Sequence, residues 1–243
     1  KGVMNGLIVR NDDPSKGIKY LKSIPDYDSL DLAKGINNRK DLNKKYGENL
    51  TIDQKYKVAV IDCGVKENIL KLLYARRCQI KVFAPDFPMN DLESFSPDGI
   101  LISPGPGDPK HMEFLVEKIK LILNDYPIFG ICLGHQIIAR AFDSNTYKLK
   151  FGHRGGNQPV MDIKQDKVYI TAQNHGYAVS SEIVNPEIEI THINLNDNTI
   201  EGLRCVEYDA FSVQYHPEGS PGPHDSRYLF NNFIQLIESK IHA

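Results

Sequence analysis

Several things are missing from this chain of 243 residues, and each absence removes a class of protein. No apolar run approaches the ~20 residues that span a bilayer, and Lys1–Gly2–Val3–Met4 lacks the layout of a signal peptide, so no membrane partner is expected. There is no excess of one charge: 29 Lys and Arg face 31 Asp and Glu. No strong field therefore draws the chain to nucleic acid. Cysteine is scarce, and Cys63, Cys78, Cys132 and Cys205 form neither a C-x-x-C pair nor a Cys/His zinc spacing. The expectation is no metal and a reducing, cytoplasmic setting. A G-x-x-x-x-G-K-[ST] loop is absent, and Gly105-x-Gly107 runs on to Lys110 where a dinucleotide fingerprint needs glycine. No cofactor is expected in this chain. Internal repeats and low-complexity tracts are also lacking. Beginning without Met, the chain reads as a fragment or a processed piece.

What is present, 41% hydrophobic and 25% charged residues, suits one full globular domain with an appendage. Residues 1–57 carry 12 Lys and Arg against 8 acids, whereas the remainder carries 17 against 23. Turn signals at Asn11–Asp12–Asp13–Pro14 and Ile24–Pro25–Asp26 interrupt that first part, and Leu7–Ile8–Val9 reads as a strand left from a domain whose beginning is absent. Residues 1–57 are taken as a connector and residues 58–243 as the domain proper. Val58–Asp62, Ile80–Phe83, Gly99–Ile102 and the run from Ile128 are continuous apolar strands of the buried parallel type. Helices fall between them: Ile69, Leu72 and Leu73 mark one face, as do Met112, Leu115, Val116, Ile119, Ile122 and Leu123. Alternation of this kind predicts an α/β fold with a doubly wound, mostly parallel sheet and ligands at the carboxyl ends of its strands. Short strand candidates at Thr146–Lys150, Val168–Ala172, Ile188–Ile193 and Phe211–Gln214 predict an antiparallel extension. A last helix, with Leu229, Phe233, Leu236 and Ile237 on one face, closes the core.

The chemistry concentrates at Gly130–Ile131–Cys132–Leu133–Gly134. An apolar strand enters, glycines flank Cys132 two residues away on each side, and Gln136–Phe142 reads as a helix. This is the cysteine form of the G-x-S-x-G elbow, which aims the first N–H groups of a helix at the nucleophile. An inert core cysteine is the competing reading. A second segment, Ser103–Pro104–Gly105–Pro106–Gly107–Asp108–Pro109, is fixed by three prolines and leaves the backbone of Gly105 free to approach a ligand. A thiol nucleophile also needs a base and something to orient it. His216, with Glu218 two residues on, suits both roles, although His153, His175 and His224 sit in similar company and spacing alone does not choose among them.

Gly130-x-Cys132-x-Gly134-x-Gln136 followed far downstream by His216–Pro217–Glu218 resembles the class I glutamine amidotransferase signature. The segments 150–160, 172–179 and 216–225 resemble the glutaminase subunit of glutamine-dependent carbamoyl-phosphate synthases, and Gly2–Val3–Met4–Asn5 resembles the junction where that subunit's N-terminal domain ends. The resemblance implies a Cys132–His216–Glu218 triad that hydrolyses the side-chain amide of L-glutamine through a thioester. It implies an oxyanion site from the N–H groups of Leu133 and Gly105, and substrate contacts from Gly107, Gln136, Asn174, Gly176 and Tyr177. Ammonia would pass to a carbamoyl-phosphate synthetase subunit or fused domain, which uses ATP and Mg, on the way to arginine or pyrimidines. The family's N-terminal domain, with a serine that helps to bind glutamine, is not in this sequence, and weak activity of the piece alone is the expectation. Pro104 departs from the Asn usual there, and Ser-Pro-Gly-Pro-Gly is closer to anthranilate synthase relatives. An amidotransferase of anthranilate synthase or GMP synthetase type, and a non-catalytic regulatory module of the same fold, are the competing readings.

Overall fold

The structure is a computed structural model and describes residues 5–10, 13–26, 29–30, 32–33, 39–48, 53–183 and 185–242. Leu7–Ile8–Val9 belongs to no ladder, contrary to the strand expected there: among the described residues no strand pairs with it. Of the segment Gly2–Val3–Met4–Asn5, only Asn5 falls within the described residues. Helix α1 (Pro14–Ser23) begins where the Asp13 side chain accepts from the Ser15 N–H, with Pro14 at its first position. Helix α2 (Arg39–Asn43) runs into a π-helical turn, Lys44–Glu48. These residues dock on the sheet. Asn43 donates from Nδ2 to the Val82 carbonyl and accepts the Val82 N–H at 2.6 Å, imitating one further strand. Tyr46 is buried, and its hydroxyl donates to Glu67.

The parallel part comprises β1 (Tyr56–Ile61), β2 (Cys78–Phe83), β3 (Gly99–Ile102) and β4 (Ile128–Ile131), with α3 (Glu67–Tyr74), α4 (Met89–Phe95) and α5 (Glu113–Ile122) between strands. Helix α6 (Leu133–Ala141) starts directly after Cys132. There follow β5 (Thr146–Asp162), β6 (Lys167–Val179), β7 (Ile188–Asn194), β8 (Ile200–Cys205), β9 (Ala210–Val213) and α7 (Tyr228–Ile241). One nine-stranded sheet has the order β2-β1-β3-β4-β9-β8-β7-β5-β6. From β2 to β9 every neighbour pairs in parallel, and from β9 outward the pairing is antiparallel. The expected architecture is therefore present. Successive strand residues face opposite sides, which is why continuous apolar runs are needed. Ala59, Ile61, Ile100 and Ile102 pack on α5 and α6, while Val58, Val60, Leu101 and Phe129 pack on α3 and α7.

The antiparallel half departs from expectation in length. Thr146–Lys150 and Val168–Ala172 are only parts of β5 and β6, since β5 is kinked by register shifts between Lys148 and His153 and between Gly155 and Gln158. Strand β8 is an addition to the expected set, because Glu201 and Gly202 interrupt its apolar pattern, and so is α4, which buries Leu92 alone.

Two contacts make the centre intolerant of change. A Cβ at Gly134 would lie 2.2 Å from the Ile102 carbonyl oxygen, a backbone atom that cannot step aside. Gly134→Ala is expected to cost about 1–3 kcal/mol or more, read from denaturant unfolding midpoints. His135, fully buried on α6, has Nδ1 2.8 Å from Ser212 Oγ on β9, and burial pushes its imidazole down to about 3 from 6.5. A folded value below the unfolded one means that this contribution is complete above pH 6.5 and is lost as pH falls toward 3. Thermal melts should show Tm dropping between about pH 7 and pH 5, with a shallower drop for His135→Gln.

Candidate active site

Strand β4 ends at Ile131, and the chain turns on Cys132 with φ 54° and ψ -102°. A non-glycine residue in that region costs about 1–3 kcal/mol and persists only where its surroundings hold it. Here they do: the Cys132 N–H donates to the Val213 carbonyl at 2.9 Å, and its own carbonyl accepts the Gln136 N–H as α6 begins. Gly130 and Gly134 allow the turn to close, since a Cβ on Gly130 would sit 2.7 Å from the Gly134 oxygen. On the facing side the Gly105 loop is pressed against the end of β1, where a Cβ would lie 2.2 Å from the Cys63 oxygen. Leu133 opens α6, so its N–H is among the helix's unpaired donors, and its side chain supports the Gly105 loop from beneath.

Strand β9 delivers the second element. Three residues beyond Val213, the His216 N–H donates to the Ala172 carbonyl at 2.8 Å, tying the turn to β6. The His216 ring is hydrogen-bonded to Cys132 and, through Nδ1, to Glu218 Oε1 at 2.8 Å. Burial alone would depress the imidazole, but the hydrogen bonds to Cys132 and Glu218 overcome it and raise His216 to about 10. Glu218 is completely buried; desolvation opposes its ionisation, yet its bond to His216 and the Lys66 ammonium 2.8 Å away hold the carboxyl below its ordinary range. The pair is thus an imidazolium and a carboxylate. Asn68 Nδ2 fixes the Glu218 backbone carbonyl at 2.6 Å.

Cys132 and His216 open into a cleft of about 300 Å³ whose lining includes Gly105, Gly107, Gln136, Asn174, Gly176 and Tyr177. Of the residues expected at the site, only Leu133 and Glu218 are absent from this lining, the first beneath the Gly105 loop and the second behind His216. Gln136 Nε2 donates to the Tyr177 carbonyl at 2.8 Å and to Gln214 Oε1 at 2.9 Å, so its amide joins α6 to β6. Sequence reasoning gives no role to Lys66, Lys148 or Arg154 and weighs His175 only as an alternative base, yet all four line the cleft. Lys148 and Arg154 lie on either side of the first β5 bulge, which returns both to the same wall. The signal is Gly152, whose φ of 73° makes that kink.

Histidines compete for no other role in the cleft. His175 Nδ1 is 2.8 Å from the Tyr177 carbonyl, and burial pushes the ring down to about 3, hence neutral. Behind it His153 is raised to about 9 by Glu201 and Asp197. Candidate ligand atoms of His153, His175 and Glu201 come within 4.8 Å of one another, but the ring nitrogens already face Asp197, Glu201, the Tyr177 carbonyl and Gln173. This is a hydrogen-bond network.

The other three cysteines are suppressed as nucleophiles. Burial pushes the Cys78 and Cys205 thiols up to about 12 and Cys63 higher still. Iodoacetamide at pH 7 should therefore label Cys132 selectively, as read by peptide mapping. Glu218→Gln, which withdraws the carboxylate that stabilises the imidazolium, should slow that labelling by about tenfold.

A family model, glutamine amidotransferase class-I, matches residues 59–236, which contain Cys132, His216 and Glu218. The carbamoyl phosphate synthase small chain of Syntrophotalea carbinolica is 45% identical over 98% of this chain and 65% of its own length. That of Methanocaldococcus jannaschii is 41% identical over 99% of this chain and 68% of its own. The chain thus spans about two thirds of the length of these relatives. In fold it is similar to a Thermoplasma acidophilum protein described as a subunit of GMP synthase, with TM-score 0.68 and 20% identity over 79% of this chain and 98% of the other. The matched segment carries both the elbow and the His216–Pro217–Glu218 turn, and the chain belongs to the class I glutamine amidotransferases, alongside carbamoyl phosphate synthase small chains.

Proposed function

We propose that this chain hydrolyses the side-chain amide of L-glutamine and supplies the ammonia to a carbamoyl-phosphate synthetase. The observation that carries the reading is the hydrogen-bonded series Cys132, His216, Glu218 at the wall of a cleft. Cys132 Sγ, its proton passed to His216, attacks the amide carbon. The oxyanion forms between the N–H groups of Leu133 and Gly105, fixed dipoles that need no reorganisation as charge develops. His216, held as an imidazolium by Glu218, donates its proton to the departing nitrogen, and the C–N bond breaks to leave a γ-glutamyl thioester and ammonia. The neutral imidazole then takes a proton from water, whose oxygen attacks the thioester and releases glutamate and the thiol. Gly107, Gln136, Asn174, Gly176 and Tyr177 surround the amino-acid end of the substrate.

Ammonia is mostly protonated in neutral water and then has no lone pair to attack with, so it must be handed on directly. The receiver is a synthetase subunit or fused domain that uses ATP and Mg, in arginine or pyrimidine synthesis, in the cytoplasm. The small-chain relatives at 41–45% identity favour this partner over one of GMP synthetase type, whose likeness is of fold alone. Among the described residues no helix is long and apolar enough to cross a membrane.

Glutamate release from L-glutamine, measured with the synthetase partner present, is the test. Cys132→Ser should lower it by at least about 10³-fold with the fold intact by circular dichroism. Absence of turnover in the parent chain under those conditions would overturn the proposal, and co-purification with a chorismate-using protein would overturn its choice of partner.

A further inference from the structure

The cleft has a one-sided charge. Lys66, Lys148, Arg154 and His216 line it, and among the described residues no Asp or Glu does. His216 is bonded to Cys132 and Glu218, and Lys66 lies against Glu218. Arg154 differs. Its Nη1 donates to the Phe151 carbonyl, and among the described residues no carboxylate pairs with it. The guanidinium stands over Gly176: a Cβ built there would meet Nη2 at 3.7 Å. Gly176 lies opposite the β5 bulge, between Lys148↔Tyr177 and His153↔His175, and has no ladder partner of its own. A planar cationic fork with free donors therefore lies beside a stretch of strand that the bulge has uncovered. His175 takes no share of the charge, since it is neutral and its Nδ1 is turned to the Tyr177 carbonyl.

A guanidinium beside open backbone is the arrangement that recognises a carboxylate, with two parallel N–H donors to its two oxygens. We infer that Arg154 binds the α-carboxylate of the substrate and is the residue by which this cleft distinguishes a free amino acid from the same side-chain amide without an anionic end. The inference rests on the glutamine reading above and adds to it a specificity determinant. Bulge and cation act together: the kink at Gly152 turns Arg154 over the cleft, and a Cβ on Gly152 would lie 2.6 Å from Nη1, so no side chain fits beneath the guanidinium. Lys148, at the other end of the bulge, adds positive potential from the same wall. In this scheme an internal or amidated glutamine, as in a peptide chain, places a neutral group against Arg154 and leaves the guanidinium without its partner. The cleft then discriminates by the unmet charge as well as by shape.

The test is calorimetric binding to the Cys132→Ser chain, which removes turnover, with L-glutamine and with L-glutamine α-amide, whose carboxylate is replaced by a neutral amide. Glutamine should bind more tightly than the α-amide. Adding Arg154→Gln should weaken glutamine by about 10–100-fold while changing the α-amide by less than about threefold, and Arg154→Lys should recover part of the loss. If Arg154→Gln leaves glutamine affinity within about threefold, or weakens both ligands equally, the assignment of Arg154 fails while the glutamine reading stands. If the Cys132→Ser chain binds neither ligand, the glutamine reading fails and the assignment with it.

Discussion

The pairing of β4 with β9 is the contact on which the site depends. Ile131 and Val213 are register partners in that parallel ladder, so the two strands stop at the same height. Cys132 lies one residue past the end of one strand and His216 three past the end of the other, although 84 positions separate them in the chain. The Cys132 N–H completes the ladder by bonding to Val213, which places the thiol at the last rung. A slip of one residue in that register would turn alternate side chains to the opposite face and separate the pair.

Around that junction the structure trades stability for orientation. A fully buried carboxylate at Glu218, a strained residue at Cys132 and glycines pressed against carbonyl oxygens are each unfavourable alone. Each is offset by a neighbour at the cleft. Lys66 and His216 neutralise Glu218; the strain at Cys132 directs its sulfur toward the first turn of α6; and the close approach of Gly105 to β1 sets a backbone donor opposite that turn. Burial, which suppresses Cys63, Cys78 and Cys205, meets at Cys132 an imidazolium within hydrogen-bond reach.

How much of this is legible in the residues follows the kind of signal each element leaves. Strands buried on both faces produce unbroken apolar runs, so β1 to β4 are legible, and the helices between them repeat at helical spacing. The grouping of Cys132, His216 and Glu218 is legible only in part: the glycines around Cys132 specify an elbow, but the choice of His216 over His153 or His175 needs a resemblance, because nothing local to a histidine records which sulfur it faces. Strand β8 hides behind Glu201 and Gly202, polar or small residues that are buried because they answer Asn194 and His192 across the sheet. Arg154 stands within a motif and still gives no sign of its role, since its direction is set by a bulge four residues long whose only trace is Gly152. The docking of Asn43 on Val82 likewise depends on a backbone edge that no pattern in residues 39–48 reports.

That use of Asn43 has a consequence at the opposite end of the sheet. With the β2 margin occupied by a side-chain amide, β6 is the outermost strand on the other side, and β6 supplies Asn174, His175, Gly176 and Tyr177 to the cleft. The ligand wall is therefore a selvedge, held along one border by Asn43 and, among the described residues, paired with no further strand along the other, where the His216 N–H ties down the Ala172 carbonyl. Outer strands open at lower free energy than inner ones. Fraying of that border and loss of the wall that Asn174, His175, Gly176 and Tyr177 form are one and the same event.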